Sequence, residues 1–464
     1  MSRGHRRILL AAALAASGCA GPRVPPPAAA AVAPPPAWRT ALGPGEPVRA
    51  DWWQAFGDPV LTALVARALA DNDDIAIAAA RVEEARAAAR TARAQQAPQL
   101  GGAAGTDNGQ QISPFGTPLF AYSIEPQLTA SYDLDLFGRL RQATRVARAQ
   151  ALASVGAGDA VRLAVAGGVA TGYINRRALD LRLTIAEQTL AARSEALRIA
   201  RRRAETGYTS NLELHQAEGE YHATEQLVPQ AKLAIRRQED ALSLLVGVTP
   251  GPIARGVPLD RLLAPAIPDG LPADLLRRRP DLYQAEQAVV AADRSLDSAR
   301  AAFLPDVALT AGAGIAFSTA FMTPIGLYSL GANVLSPILD GGRRRAAIDA
   351  AGSRRDQAAF AYRRATLSAF RDVDDGLAGV QRSGEQATAL AGQRDALAAA
   401  LRNASNRYRA GYSAYIDQLD AQRGLLTADL ALVQARADRL TAYVALYQAF
   451  GGGWSADEVA RVKQ

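Results

Sequence analysis

Residues 307–339 read VALTAGAGIAFSTAFMTPIGLYSLGANVLSPIL, and this stretch decides the fold because it contains no charged side chain. It is long enough for a transmembrane helix, but its glycines and prolines oppose one. Its larger apolar side chains recur at every second position instead. One face carries Val307, Leu309, Ala311, Ala313, Ile315 and Phe317, and later Tyr328, Leu330, Ala332 and Val334. This alternation predicts two strands of a membrane β-barrel, with apolar side chains outward and polar side chains inward.

The first half of the chain alternates in the same way between residues 124 and 136. Apolar positions are Ile124, Leu128, Ala130, Tyr132, Leu134 and Leu136, and polar positions are Glu125, Gln127, Thr129, Ser131, Asp133 and Asp135. All the carboxylates share one face, so Glu125, Asp133 and Asp135 are candidate carboxylates of a barrel lumen. A soluble, half-buried sheet is the alternative that this pattern leaves open.

Each half therefore supplies one hairpin, with tips expected near 107–119 and 319–325. Four strands are too few to close a barrel. An open strand edge in lipid is prohibitive, because its backbone groups have no partners there. The sequence thus demands an oligomer in which several chains share one barrel.

The two halves repeat one plan. Pro98 and Pro305 stand at matching places 207 residues apart, and Thr206-Gly207-Tyr208-Thr209 matches Ala410-Gly411-Tyr412-Ser413 at a separation of 204. Landmarks in the same order at nearly constant separation indicate a tandem duplication. Each half reads helix, hairpin, very long helix, tight turn and long helix.

The helices have defined ends. We expect first helices at 58–97 and 281–304, proline-free long helices at 138–206 and 342–410, and return helices at 211–246 and 414–449. A 69-residue helix is about 100 Å long, which suits coiled-coil elements rather than one globular domain. Gly207 and Gly411 suit the position after a helix end. Ser210 with Glu213 predicts a capping box, Ser413 a simpler cap, and Pro229 a kink.

The N-terminal residues form a predicted targeting signal. Residues 1–18 have a basic start, a short apolar core and small residues before Cys19, as a secretory signal does. Cys19 is the chain's single cysteine and stands where a bacterial lipobox places its lipidated (palmitate-bearing) residue, although Ala16 replaces the usual Leu. An ordinary signal peptide is the alternative. Residues 19–50 read as a Pro/Ala-rich tether, and we expect order to begin near Trp52 and Trp53.

Composition excludes several functions. One cysteine and three histidines leave no Cys or His metal cluster, and neither a metal nor a cofactor is predicted. The net charge of +7 comes from arginines dispersed among 45 acidic residues, so nucleic acid is not predicted as a partner. No catalytic motif is present, and the chain is not expected to be an enzyme. The cluster of Asp372, Asp374 and Asp375 is expected on a solvated helix without a pocket.

The chain resembles the TolC/OprM-type outer membrane factors, the lipid-anchored NodT-type lipoproteins of tripartite efflux systems. The segments that carry the resemblance are 53–59, 134–138, 271–282, 302–305, 339–343, 419–423 and 451–454. The resemblance implies an α+β membrane protein, in which a homotrimer builds a 12-stranded barrel, four strands per chain, on a periplasmic helical coiled-coil tunnel. The implied repeats are 51–265 and 266–455, followed by a tail at 456–464.

The resemblance also implies a passive duct in the bacterial outer membrane, through which a periplasmic adaptor and an inner-membrane RND-type pump expel drugs and toxic compounds. It aligns Ile416, Asp420 and Arg423 with a periplasmic gate. Their spacing puts all three on one face of a helix, and the Asp420 residues of three chains would form a ring. An ordinary surface Asp–Arg pair is the alternative. Adaptor docking is expected at two tips: Gly207, Tyr208, Thr209, Ser210, Asn211, Gly411, Tyr412, Ser413 and Ala414. Other readings are a duct for type I protein secretion and, more remotely, a lipid-anchored scaffold without a pore.

Overall fold

The computed structural model describes residues 25–40, 48–112, 115–319, 323–336 and 338–456. The signal sequence, Cys19 and the tail beyond residue 456 lie outside the described residues. The chain divides into two compact units. The first includes Ala80–Val155 and Gln284–Arg364, and the second includes Ala33–Ala79, Gly156–Tyr283 and the chain from Ala365 onward. Each unit therefore takes segments from both sequence halves.

Helices and strands follow the same order in both halves. The first half has α1 (Pro59–Asp71), α2 (Asp73–Ala94), β1 (Gln99–Ile112), β2 (Pro118–Asp133), α3 (Arg139–Glu205), α4 (Asn211–Glu225) and α5 (Leu227–Leu245). The second has α6 (Pro272–Arg278), α7 (Pro280–Ala301), β3 (Asp306–Ser318), β4 (Ile325–Leu335), α8 (Arg343–Arg409) and α9 (Tyr415–Ala449). The long helices α3 and α8 have 67 residues each, within one residue of their predicted ends.

The first helix differs from the prediction because it is interrupted at Asn72. The Asn72 backbone is extended, its Nδ2 donates to the Leu245 carbonyl at 2.8 Å, and its Oδ1 accepts from the Ile75 N–H at 3.1 Å. Asn72 thus ends α1 and caps α2. The predicted effect of Pro229 is confirmed, since the return helix breaks at Gln226, where the proline ring disturbs the preceding turn.

The four strands form one antiparallel sheet in the order β1-β2-β3-β4. Its register aligns the predicted apolar face, because Ala313 lies between Leu128 and Tyr328, and Ala311 between Ala130 and Leu330. The large side chains of this face are exposed in the chain, Tyr328 to 90% and Leu330 to 87%. Among the described residues, β1 and β4 each have one edge without a partner strand.

The hairpin boundaries need two corrections. β1 continues to Ile112, so the first tip is shorter than the predicted 107–119, because pairing with β2 satisfies the polar backbone from Asp107 onward. β2 ends at Asp133, so Leu134, Asp135 and Leu136 are not strand residues.

Asp135 is a helix cap rather than a strand residue facing a lumen. It adopts a positive φ of 44°, and its carboxylate accepts from the N–H groups of Leu140 and Arg141 at 2.9 and 2.8 Å. The neighbouring Asp133 pairs with Arg139 at 2.9 Å, and Arg139 also reaches Asp306 at 3.2 Å. These acids therefore fasten the end of β2 to the start of α3. Glu125 remains in β2, opposite Gly105.

Order begins before the predicted Trp52. Trp38 is buried, with its ring edge-on to Phe370 and Phe450 at 6.2 Å each. Its indole N–H donates to the Gly270 carbonyl at 2.8 Å. An indole can bury a large apolar area and still satisfy its one donor, so Trp38 attaches the tether to the second compact unit.

Candidate functional site

Two helical turns form the predicted tips, and both have the same backbone. Gly207 and Gly411 take positive φ values of 70° and 78° after α3 and α8. The N–H groups of Tyr208 and Tyr412 return to the carbonyls of Arg203 and Arg407 at 2.8 and 2.9 Å. This is the left-handed helix end that glycine permits. It leaves the rings of Tyr208 and Tyr412 strongly exposed.

The predicted side-chain caps after these turns are wrong. Ser210 precedes α4 but makes no capping hydrogen bond through its side chain, and Ala414 rather than Ser413 precedes α9. Glu213 does not complete a capping box, because its carboxylate accepts from the Tyr408 hydroxyl at 3.2 Å. A contact distant in sequence has replaced the local one.

Apolar side chains join the two helical hairpins behind the turns. Leu197 and Ala200 of α3, Ala217 of α4, and Tyr415 and Leu419 of α9 form one buried cluster. Its members recur every three or four residues on α3 and α9, as expected for packed helices. The cluster holds α9 against the first hairpin of the same chain.

A charged cluster lies on the same contact, formed by Arg193 of α3, Glu220 of α4 and Arg423 of α9. Glu220 is buried and pairs with the buried Arg193. Its Oε1 also accepts from Arg423, at 2.5 Å from Nη2 and 2.7 Å from Nε. We call these three residues the Glu220 cluster. A buried carboxylate needs such compensation, since an unpaired buried charge is costly.

The Glu220 cluster was not predicted from sequence, although a signal was present. Ala217, Glu220 and Thr224 are the buried residues of α4, and they stand at helical spacing on one stripe. A glutamate on an otherwise small, uncharged stripe predicts a buried ion pair. Its partners, however, lie 27 residues upstream and 203 residues downstream, beyond the reach of local spacing.

A second polar contact lies nearer the turns. Arg203 of α3 donates to the Tyr408 hydroxyl at 3.2 Å, and its guanidinium lies 5.4 and 5.7 Å from the ring centres of Tyr408 and Tyr208. Burial, reinforced by the Glu213 charge, raises the pKa of Tyr408. The hydroxyl therefore remains protonated and continues to donate to Glu213. Arg203 thereby links the end of α3 to the end of α8.

The three predicted gate residues all lie on α9, but they have different surroundings. Ile416 and Asp420 are exposed. Arg423 is half-exposed and lies 3.7 Å from Asp420 but much nearer to Glu220. The Asp–Arg pair is thus the weaker of the two contacts of Arg423. Ile416 and Asp420 remain available to a partner outside the chain.

The aspartate cluster differs from the prediction, because it borders a cleft. Asp372 and Asp375 line a cleft of about 690 Å³ in the second compact unit, together with small residues such as Gly376 and Gly379. Arg279 pairs with Asp372 at 3.2 Å and with Asp281 at 2.7 Å. The described residues contain no group of three His, Cys, Asp or Glu residues able to hold a metal.

The comparisons with known proteins all indicate the same family. A family model for outer membrane efflux proteins matches residues 64–248 and 271–452. The solvent efflux pump outer membrane protein SrpC of Pseudomonas putida is 35% identical over 410 residues, 87% of each chain. The cation efflux system protein CusC of Escherichia coli is 33% identical, covering 87% of this chain and 88% of CusC. The open-state structure of the Neisseria gonorrhoeae MtrE outer membrane channel superimposes with a TM-score of 0.80 at 31% identity, over 93% of this chain and 98% of that one.

Proposed function

This chain belongs to the outer membrane efflux protein family, and we propose that it is the outer-membrane exit duct of a tripartite efflux system. Three copies share one 12-stranded barrel, and small toxic molecules pass through it from an inner-membrane pump to the exterior. The duct itself is passive.

The observation that carries this proposal is the four-stranded sheet. Its apolar face is exposed, and β1 and β4 each have a free edge among the described residues. A lipid-facing sheet must pair every edge, because hydrocarbon offers no hydrogen bonds to backbone groups. Pairing β4 of one chain with β1 of the next satisfies both edges. Three such sheets contain enough strands for a water-filled barrel.

The gate of the duct lies at the two turns and depends on the Glu220 cluster. Arg193 and Glu220 are both buried, whereas Arg423 is half-exposed. If α9 moves away, Arg423 leaves but Arg193 still compensates the charge of Glu220. Opening therefore breaks the Arg423 pair and the apolar contact around Leu419 and, where α8 moves with α9, the contacts of Tyr408 to Arg203 and Glu213. Ile416 and Asp420 face the pore in this arrangement, and a ring of three aspartates favours cations.

The partners bind at the turns. We assign the adaptor to the exposed tips Gly207–Asn211 and Gly411–Ala414, where Tyr208 and Tyr412 offer large apolar surfaces with a hydroxyl. Tyrosine is frequent at protein interfaces for this reason. Tension from the adaptor at Tyr412 would act directly on α9, and hence on the Arg423 pair. An RND-type pump completes the assembly, and a lipidated Cys19 adds an anchor.

Small molecules are the proposed cargo, rather than proteins. The relatives SrpC and CusC are named for efflux of solvent and of cations. The test uses the native host with the gene for this chain deleted. Restoring the gene should lower the accumulation of a fluorescent efflux dye severalfold without restoring secretion of a protein. Restored protein secretion with unchanged dye accumulation would favour the type I reading instead.

A further inference from the structure

We propose that the segment from Ile338 to Arg345 is a lipid-binding collar, which inserts its apolar residues into the inner leaflet of the outer membrane and binds phospholipid phosphates through its arginines. This inference rests on the proposed function, which puts the helical side of the sheet in the periplasm. The segment follows β4 and includes the start of α8.

The apolar part of the collar is almost fully exposed. Ile338 and Leu339 are 98% and 92% accessible, the most exposed large aliphatic side chains of the described chain. Leaving two adjacent side chains of this size in water is strongly unfavourable relative to burying them in an apolar environment. Within the described residues nothing covers them, so something outside this chain must do so.

The collar continues a surface that already faces lipid. Val334 lies on the apolar face of β4 and is exposed. Ile338 and Leu339 follow within five residues. A membrane surface that ended abruptly at Val334 would leave Ile338 and Leu339 in water, whereas a boundary a few ångströms lower covers all three side chains.

Three arginines, Arg343 to Arg345, follow the apolar pair after Asp340 and two glycines. Arg344 lies 3.6 Å from Asp340, and Arg345 lies 3.5 Å from Asp349 in an exposed pair of little strength. Arg343 forms no ion pair with any described residue. These side chains occupy the first turn of α8, which contains no acidic residue, although positive charge is unfavourable there. An apolar pair followed within a few residues by an excess of arginine matches the order in which hydrocarbon and phosphate succeed each other across a leaflet.

The matching segment of the first half does not share this arrangement. Arg139 is held by Asp133 and Asp306, and Arg141 by Asp135. These arginines are thus already paired with carboxylates of the same chain. The collar is therefore confined to the second half, and it commits to one occupant: the phosphate-bearing headgroups of phospholipids.

The test places a fluorescent probe on single cysteines. The full chain, with Cys19→Ser to leave one thiol, carries Leu339→Cys, Leu330→Cys or Leu212→Cys, and is reconstituted in vesicles whose lipids carry quenchers both just below the headgroup and near the end of the acyl chain. Probes at 339 and 330 should be quenched, and a probe at the tip residue 212 should not. An unquenched probe at 330 would overturn the proposed barrel. Quenching at 330 but not at 339 would overturn the collar alone.

The arginines are tested in vesicles with and without phosphatidylglycerol. Arg343→Gln combined with Arg345→Gln should lower the amount of phosphatidylglycerol that remains with the purified protein, by about fivefold per arginine in affinity. Arg409→Gln, at the other end of α8, is the matched control and should change nothing. Equal phosphatidylglycerol retention by the double variant and the control would refute the role of the arginines.

Discussion

At the scale of single residues, the Glu220 cluster would allow the proposed gate to be stable when closed and still able to open. A buried carboxylate with two arginines keeps one partner when the other leaves. Arg423 pairs from the half-exposed side and Arg193 from the buried side. The charge of Glu220 is therefore never left alone, and opening costs a partly solvated ion pair together with the apolar contact around Leu419.

Arg423→Gln should make the closed duct leak. Loss of the charged contact to Glu220 removes about 1.5–3 kcal/mol from the closed state, and Arg193 keeps Glu220 compensated. Cells that carry the variant should become more sensitive to a large antibiotic that the outer membrane normally excludes. Arg201→Gln is the control, because Arg201 has a similar exposure and only a long 3.5 Å pair with Glu218. Equal sensitivity of the two variants would contradict the assignment.

Glu220→Gln should affect stability as well as gating. It leaves Arg193 buried without a counter-charge, a change that costs about 3–5 kcal/mol. Hydrogen exchange of the α4 backbone should accelerate correspondingly. Glu218→Gln, two residues away in an exposed pair, should cost no more than about 1 kcal/mol. Unchanged exchange in Glu220→Gln would show that the buried pair does not hold α4.

Local sequence rules described the turns only in part. Gly207 and Gly411 were predicted because a left-handed residue after a helix has one common solution. The capping box at Ser210 did not form, and Glu213 instead bonds Tyr408, 195 residues away. Ser413 does not cap α9 because Ala414 is the residue that precedes the helix. Glu220 was missed for the same reason, because its partners are distant in sequence and local spacing does not reveal them. Trp38 was missed because a proline-rich context gives no sign of a distant aromatic pocket.

At the scale of elements, the period of the apolar side chains and the positions of proline predicted most of the helix and strand boundaries. The alternation in 307–339 predicted β3 and β4, and the register then aligned the apolar face across the sheet. The long helices α3 and α8 ended just before Gly207 and Gly411, as the glycines predicted. Asn72 interrupts the first helix because its side chain satisfies both a distant carbonyl and a local N–H, and a mid-helix asparagine alone does not predict that.

The face assignment of β4 can be tested by charge. Leu330→Arg puts a cation on the apolar face, at a cost of about 2–4 kcal/mol near the bilayer midplane, repeated in each subunit. The folded oligomer recovered from outer membranes should fall sharply on unheated electrophoresis gels. Ser329→Arg, on the opposite face, should assemble normally. If Ser329→Arg abolished assembly and Leu330→Arg did not, the two faces would have to be exchanged.

At the scale of the whole molecule, one chain is an incomplete structure. Its sheet has an exposed apolar face and two free edges among the described residues. Its tips expose Tyr208 and Tyr412, and its α9 exposes Ile416 and Asp420. In the proposed assembly, neighbouring chains, lipid and a periplasmic partner cover each of these surfaces. We therefore propose that several chains share one duct, which is closed at the tips.

Single-channel conductance in planar bilayers tests that claim most directly, with the wild-type oligomer beside Asp420→Ala. We predict a low conductance for the wild type and larger, more frequent openings for the variant, because the substitution removes a ring of charge from the constriction. Large and equal conductances would retain the duct but remove Asp420 from its gate. Silence of both proteins, despite insertion as a trimer, would contradict the account.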